Sequence, residues 1–229
     1  MNMKAIVINL ILMFFINISL NAQNYTCEKL QSDIDTWNTL KSSNNIKWAN
    51  AIKDKGLYNT NSDGSFEYVY IMQTTDSINI STLRKIGFDF FEYAFNIGNS
   101  TRADVETNSP SDGVIYKGLI ERIGAHSGIH YNQINANIYF DIRFKPNRIR
   151  FSVKIQDYQV IKTYGASIIE NQRVFVKDCY PIKQDSNHQK SYAMAFINSN
   201  SDCLNYAHNF LNYLNKHIKE SQPTQIEDW

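Results

Sequence analysis

The sequence INANIYFDIRFKPNRIRFSVKI, residues 134–155, decides the fold of this chain. Apolar residues occupy every second position on both sides of Pro146-Asn147, which is the pattern of two β-strands joined by a tight turn. Ile134 to Phe144 and Ile149 to Ile155 are therefore predicted to form a hairpin with one apolar face. The other face is polar and mostly basic. A sheet packed on one side and wet on the other is typical of an antiparallel α+β domain.

Basic side chains dominate the polar face of this hairpin. Five of them are candidates for a patch that binds an anion or an acidic partner: Arg143, Lys145, Arg148, Arg150 and Lys154. A two-residue turn places Lys145 opposite Arg148 and Arg143 opposite Arg150. Like charges that face each other across two strands reduce stability. The alternative interpretation is a solvated sheet face whose charges discourage edge-to-edge pairing, and the sequence favours it.

The first 22 residues have the pattern of a secretory signal peptide. Lys4 precedes an apolar run over 5–16, and small and polar residues lead to Ala22. A retained anchor is the weaker interpretation, because the run is shorter than the about 20 residues that span a bilayer. Lipidation at Cys27 is disfavoured, since Asn24-Tyr25-Thr26 does not resemble a lipobox. The mature chain is predicted to be periplasmic or secreted, with no transmembrane segment.

Charge and cysteine content restrict the partners. Lys and Arg total 23 against 22 for Asp and Glu, so removal of Lys4 with the signal peptide leaves no net charge. Neutrality and export argue against nucleic acid as a partner.

Three cysteines in an oxidising compartment permit one internal disulfide, predicted between Cys179 and Cys203 because both flank the segment before the last helix. Three buried thiols are the alternative.

Periodicity along the chain predicts one domain with additions. A helical arm over 23–60 is followed by an α+β domain over 61–221 and a tail over 222–229 that ends in Glu227-Asp228-Trp229. The domain begins with a strand from Phe66 to Met72 and a helix from about Ser81 to Ile97. Two further strands follow, and the two strands of the hairpin come after them. The stretch 158–200 is least legible, with short strands suggested near Val160, near Ile168 and over 174–176. A helix capped by Ser201 or Asp202 ends the domain.

Aromatic residues at core positions give two interpretations for the space between helices and sheet. A ligand cavity could be lined by Tyr68, Tyr70, Phe90, Phe95, Phe140, Phe210 and Tyr213. Aromatic stripes at these spacings more often form a filled core, and this second interpretation is favoured.

Several short motifs resemble the DUF4468 family, a secreted Bacteroidetes domain with a TBP-like fold. They are Asp63-Gly64 before an apolar-Tyr strand, Leu83 with Phe90 and Phe95 in a helix, Gly113-Val114-Ile115-Tyr116-Lys117-Gly118, and Asn147-Arg148-Ile149-Arg150-Phe151. The last differs from the family pattern, with Asn for Gly and Ile for Tyr. The resemblance implies a curved antiparallel sheet in β-α-β-β-β-β-α order with helices on one face. It implies export and no particular activity.

No pattern in the sequence indicates catalysis, a cofactor or a metal site. His126 and His130 fall in a predicted loop, Gly124 to Asn132, and Cys203 and His208 point apart on a helix. We therefore expect a non-enzymatic binding module of the bacterial cell envelope, holding an apolar small ligand or a protein partner. A structural or accessory envelope protein is the alternative, and a hydrolase has less support.

Overall fold

The fold is seen in a computed structural model, which describes residues 24–96, 101–105, 110–126, 130–164, 167–179 and 187–220. The predicted signal peptide and the tail with Glu227-Asp228-Trp229 lie outside these residues. Among the described helices, none is both long and apolar enough to cross a membrane.

The described chain is an α+β structure with four helices and an antiparallel sheet, as the alternating pattern predicted. The helices are α1 (Glu28–Leu40), α2 (Asn45–Lys55), α3 (Ile80–Asn96) and α4 (Asn187–Glu220). The strands are β1 (Asn59–Thr60), β2 (Phe66–Gln73), β3 (Thr101–Val105), β4 (Gly113–His126), β5 (His130–Lys145), β6 (Arg148–Tyr164) and β7 (Ser167–Val174). A short 3-10 helix, Val176–Cys179, follows β7.

The predicted hairpin is confirmed as β5 and β6. Pro146 and Asn147 form the turn, so Lys145 pairs with Arg148 in the ladder. The apolar residues of both strands, from Ile134 to Phe144 and from Ile149 to Ile155, are almost completely removed from solvent. Side chains that alternate across a strand thus give the sheet one buried face, which we call the inner face, and one outer face.

Strand β6 is the centre of the sheet, whose order is β1-β2-β6-β5-β4-β3 with β7 also paired to β6. One edge of β6 pairs with β5 along its length. The other edge pairs with β2 from Arg148 to Ile155 and with β7 from Tyr158 to Tyr164. Strands β2 and β7 therefore lie end to end along the same edge of one strand.

Two irregularities change the direction of the side chains in the sheet. In β6 the register shifts after Ile155, so Gln156 has no partner in β5 and Asp157 pairs with Asn137 on the outer face. In β4 the register shifts between Ile120 and Gly124, and Arg122 adopts a left-handed conformation with φ of 55°. Extra residues of this kind bend a strand and turn side chains to the other face.

The helices cover the inner face, as the apolar hairpin face required. Ring centroids of Phe151 in β6 and Phe210 in α4 are 5.1 Å apart. Helix α4 also crosses β4 at Gly124, where a Cβ atom would lie 2.5 Å from the carbonyl oxygen of Ser191. Only glycine permits this approach between the helix backbone and the strand.

Helix α4 starts at Asn187, four turns earlier than the predicted cap at Ser201 or Asp202. The prediction was wrong because Ser201 and Asp202 are residue types that commonly cap helices, whereas the Ser and Asn residues just before them do not end the helix. Instead they bond back along the helix, with Ser199 Oγ donating to the carbonyl of Ala195 at 2.6 Å and Asn200 Nδ2 to that of Phe196 at 2.8 Å.

The same polar residues connect α4 to tyrosines of the sheet. The hydroxyl of Tyr68 in β2 donates to Asn200 Oδ1 at 2.7 Å, and the hydroxyl of Tyr158 in β6 lies 3.0 Å from Ser199 Oγ. All four side chains are buried. Burial raises the pKa of Tyr68, so the phenol stays protonated and remains a donor.

The N-terminal helical arm shares the core of the sheet domain. Leu30 and Trp37 of α1, with Ala49 and Ile52 of α2, belong to the same buried apolar cluster as the strands. Upstream of α1, Thr26 forms two backbone hydrogen bonds with Gln73 of β2, at 2.8 and 2.9 Å.

One further sequence expectation needs correction. The segment Gly124 to Asn132 was predicted as a loop, yet β4 runs to His126 and β5 starts at His130, because pairing with the neighbouring strands continues there. In the least legible stretch, the short strand suggested near Ile168 is present as β7, paired with the end of β6.

Candidate functional site

The basic patch is largely neutralised on the outer face. Arg143 and Arg150 do lie opposite each other, but Asp141 stands beside both. Its Oδ1 is 2.6 Å from Arg143 Nε and its Oδ2 is 3.6 Å from Arg150 Nη1. The hydrogen bond from Arg143 to Asp141 raises the pKa of the guanidinium. The carboxylate thus compensates the cross-strand repulsion that the sequence suggested.

The remaining members of the patch divide between paired and exposed side chains. Arg150 Nη2 also lies 3.3 Å from Glu67 Oε1, and Lys154 Nζ lies 3.4 Å from Asp63 Oδ2. Lys145 and Arg148 are exposed at the end of the hairpin. The structure therefore brings Arg143, Arg150 and Lys154 together with acids rather than as an open cationic surface.

The aromatic residues proposed to line a cavity are mostly packed core. Tyr68, Tyr70, Phe90, Phe140 and Phe210 are fully buried, while Tyr213 is half-buried. Phe90 and Phe210 have ring centroids 5.2 Å apart in an edge-to-face arrangement, a separation typical of direct aromatic packing. The side chain of Phe95 lies outside the described part of the structure.

A groove on the protein surface lies between α3 and α4, where part of this set reaches solvent. Its volume is about 660 Å³, and Phe90 and Tyr213 form part of its wall. Tyr93 is 57% exposed and its ring centroid is 5.7 Å from that of Tyr213. Asn209, Asn212 and Lys216 supply polar groups. An aromatic wall with a polar rim is typical of small-molecule sites.

Cys203, one of the two cysteines of the predicted disulfide, is a free thiol. It is completely buried on α4, and burial raises its pKa well above the usual value. The side chain of Cys179 lies outside the described residues. His208, five residues further along α4, is exposed and 3.3 Å from Asn212, so it does not approach the buried thiol as a base.

No group of three or more His, Cys, Asp or Glu residues within the described ranges is arranged to hold a metal ion. Of the histidines in the predicted loop, His126 ends β4 and His130 begins β5, and their side chains are not described.

The most exposed apolar surface lies where sequence reasoning was weakest. We define the β6–β7 ribbon as Ile161 to Tyr164 of β6, strand β7 and Phe175. Large apolar side chains on this ribbon are exposed: Tyr164 by 55%, Ile168 by 65%, Ile169 by 59% and Phe175 by 42%. Monomeric soluble proteins rarely leave such residues clustered on the surface unless they bind something.

Strand β7 is also an edge strand. Among the described residues it pairs only with β6, so its other edge presents backbone groups that no strand uses. The sequence contains a signal for this ribbon, since Gly165-Ala166 separates two short apolar runs in the manner of a two-residue hairpin loop. The sequence suggested only a short strand near Ile168, because Ile168-Ile169 does not alternate with polar residues.

Comparison of the chain with protein-family models, with curated proteins and with solved structures finds no match.

Proposed function

We propose that this chain is an exported, non-enzymatic binding module of the bacterial cell envelope that holds a protein partner on the β6–β7 ribbon. The observation that carries the proposal is the concentration of exposed apolar side chains, above all Ile168 and Ile169, on a strand whose second edge pairs with no other strand among the described residues. Edge strands with this composition aggregate unless they are covered, and native proteins normally protect them with Lys, Pro or a bulge.

The partner is expected to add an extended strand to β7. Unpaired backbone N–H and C=O groups on the edge of a sheet bind a strand from another chain, and neighbouring side chains give the specificity. Ile168 and Ile169 fit apolar side chains of the partner, while Glu170 and Arg173 are already paired with Lys162 and Asp157. The partner strand is therefore expected to be apolar rather than charged.

The TBP-like arrangement and membership of the DUF4468 family belong to the same proposal. In support, β2, α3, the four strands β3 to β6, and α4 follow one another in the proposed β-α-β-β-β-β-α order. Strand β7 is an insertion before the last helix, and the arm with α1 and α2 precedes this order. The module would then carry its partner-binding ribbon as an addition to the common fold.

Export without lipidation at Cys27 is also proposed, from contacts upstream of that residue. Tyr25 is 1% exposed, and its backbone N–H donates to Asn215 Oδ1 at 2.7 Å while its carbonyl accepts from Asn215 Nδ2 at 2.9 Å. Lipoprotein processing would make Cys27 the first residue and would remove both these bonds and the Thr26 bridge. The contacts support cleavage before Tyr25.

Site-specific photocross-linking in the native host tests the partner-binding proposal. A photoreactive amino acid at Ile168 is expected to form a defined adduct with one envelope protein, whereas the same amino acid at exposed Gln73 of β2 is not. The variant Ile169→Lys should remove the adduct, because lysine protects an edge strand. Equal adducts at both positions, or none at Ile168, would contradict the proposal.

A second candidate function is supported by the groove between α3 and α4. Its volume of about 660 Å³ and its exposed Tyr93 favour an apolar small ligand. A dansyl-labelled fatty acid should then bind saturably, with weaker binding to Tyr93→Ser. The matched control is Tyr164→Ser, since Tyr164 is similarly exposed but lies on the ribbon. An equal effect of the two variants would exclude the groove as the site.

A further inference from the structure

The outer face of the sheet contains a second surface that is independent of the ribbon edge. A depression of about 630 Å³ lies over the bulge at Gln156 and crosses four neighbouring strands, β4 to β7. Strands are about 4.8 Å apart, so the depression is about 14 Å wide. Residues from each strand line it, among them Lys117, Leu119, Asn137, Gln159, Asn171 and Arg173.

The polar groups of this depression are held in place by a chain of carboxamides. Gln133 Nε2 donates to Asn135 Oδ1 at 2.8 Å, and Asn135 Nδ2 donates to Gln159 Oε1 at 3.2 Å. Gln159 Nε2 then donates to Asn171 Oδ1 at 3.2 Å. Because the amides are joined head to tail, each bond polarises the next, and the chain ends on the Nδ2 donor of exposed Asn171.

A second fixed group lies beside this chain. The carboxylate of Asp157 is fully buried and accepts from Asn137 Nδ2 at 2.6 Å and from Arg173 Nη2. Asn137 keeps its Oδ1 as an acceptor, since only its amino group takes part in that bond. Arg173 is 58% exposed and retains further N–H donors, because one guanidinium has five. Fixed donors and an acceptor thus line the same depression as Leu119, which pairs with Asn137 in the strand ladder.

We infer that this depression binds a carbohydrate. A sugar hydroxyl both donates and accepts, which matches neighbouring amide donors and acceptors, and the C–H face of a sugar ring matches Leu119. A simple anion is disfavoured as the ligand, because the positive charge of Arg173 is already paired with Asp157. A peptide strand is disfavoured because β4 to β7 use their facing backbone edges in pairing with one another, which leaves side chains to make the contacts.

A glycan array followed by calorimetric titration of the best neutral oligosaccharide tests this site. We expect saturable binding, weakened about tenfold or more in the double variant Lys117→Ala/Asn171→Ala, because each lost hydrogen bond contributes up to about tenfold. The matched control is Lys145→Ala/Gln73→Ala, which removes exposed lysine and carboxamide groups elsewhere on the sheet. The control should bind as the native chain does.

Nuclear magnetic resonance of the native chain provides a readout that needs no variant. Adding the same oligosaccharide should shift the side-chain NH2 signals of Asn137, Gln159 and Asn171, while that of Gln73 stays in place. The inference is overturned if the array shows no binding, if only polyanions bind, if a peptide competes for the same signals, or if the control variant loses binding equally. The site uses the side chains of Asn171 and Arg173 on the outer face of the sheet and not the second edge of β7, so either proposal can fail alone.

Discussion

Strands β2 and β7 have the same length, eight residues, and lie along the same edge of β6, yet they have opposite relations to solvent. In β2 every second side chain, from Phe66 to Met72, is buried under the helices. In β7 most side chains are exposed on both faces. Both segments are strands because both pair with β6. Only β2 is covered by helices, and only β2 contributes to the core.

The difference shows which part of the sheet serves folding and which is available for binding. Helix cover and the Thr26 bridge protect β2, whereas six of the eight residues of β7 are exposed. Burial of apolar area stabilises β2 in proportion to the surface removed from water, and β7 gains little from this effect. We expect substitutions in β2 to lower the stability of the fold and substitutions in β7 to weaken binding of the partner.

The largest expected effect is on the free energy of unfolding after truncation in β2. Phe66→Ala removes a fully buried ring and should cost about 4 kcal/mol through lost burial and a cavity. Ile168→Ala in β7 should change the free energy by less than about 0.5 kcal/mol. Urea unfolding followed by circular dichroism measures both, and similar losses at the two positions would break the comparison.

Helix cover can be weakened directly at Gly124. A Cβ atom there would meet the Ser191 carbonyl and the Ala195 side chain, so Gly124→Ala should destabilise the chain by about 3 kcal/mol. Gly56→Ala is the control, because its Cβ meets nothing within 4 Å and only its φ of 68° is strained, at about 1 kcal/mol. Thermal unfolding would contradict the packing argument if Gly124→Ala were the milder change.

The covered region also contains a carboxyl group that titrates abnormally. Burial raises the pKa of Asp202 on α4 from 3.8 to about 6. The folded state therefore binds the proton of Asp202 more tightly than the unfolded state does. As the pH rises from about 4 to 6, the free energy of unfolding is expected to fall by about 2–3 kcal/mol. Asp202→Asn should lose this pH dependence and be more stable at pH 7, as thermal unfolding across this range would show. Identical pH profiles for the two proteins would disprove it.

A smaller effect is expected from the hydrogen bond between β2 and α4. Tyr68→Phe leaves Asn200 Oδ1 buried without its donor, which should cost about 2 kcal/mol. Tyr164→Phe on the ribbon, where the side chain is exposed, should cost less than about 0.5 kcal/mol. Denaturant titration of both variants measures these two losses in the free energy of unfolding. A Tyr68→Phe variant as stable as the native chain would contradict the role of the hydrogen bond to Asn200.

Local patterns predicted the parts of the fold that alternate or repeat regularly. The hairpin, strand β2 and the α3 helix follow from the spacing of residues such as Ile142, Tyr70 and Leu83, since period and burial agree there. The start of α4 was missed because Ser201 and Asp202 are residue types that commonly cap helices. The side chains of Ser199 and Asn200 bond to carbonyls one turn back in the helix and to tyrosines that only the tertiary fold brings close.

The candidate surfaces were less predictable than the fold. The two-residue turn predicted that Arg143 and Arg150 face each other, but the ion pair of Arg150 with Glu67 could not be predicted, because Glu67 is distant in sequence. The carboxamide chain likewise depends on strand register, since the Gln159–Asn171 bond joins residues of β6 and β7. Strand β7 itself lacks alternation because it has no buried face.

Native mass spectrometry of the chain purified gently from its own host tests most directly the claim that β7 is a binding strand. The account predicts a complex in which one other polypeptide adds to the mass of the mature chain, and it predicts the mature chain alone for Ile169→Lys. A wild-type chain that carries no polypeptide, or a complex unchanged by Ile169→Lys, would contradict it.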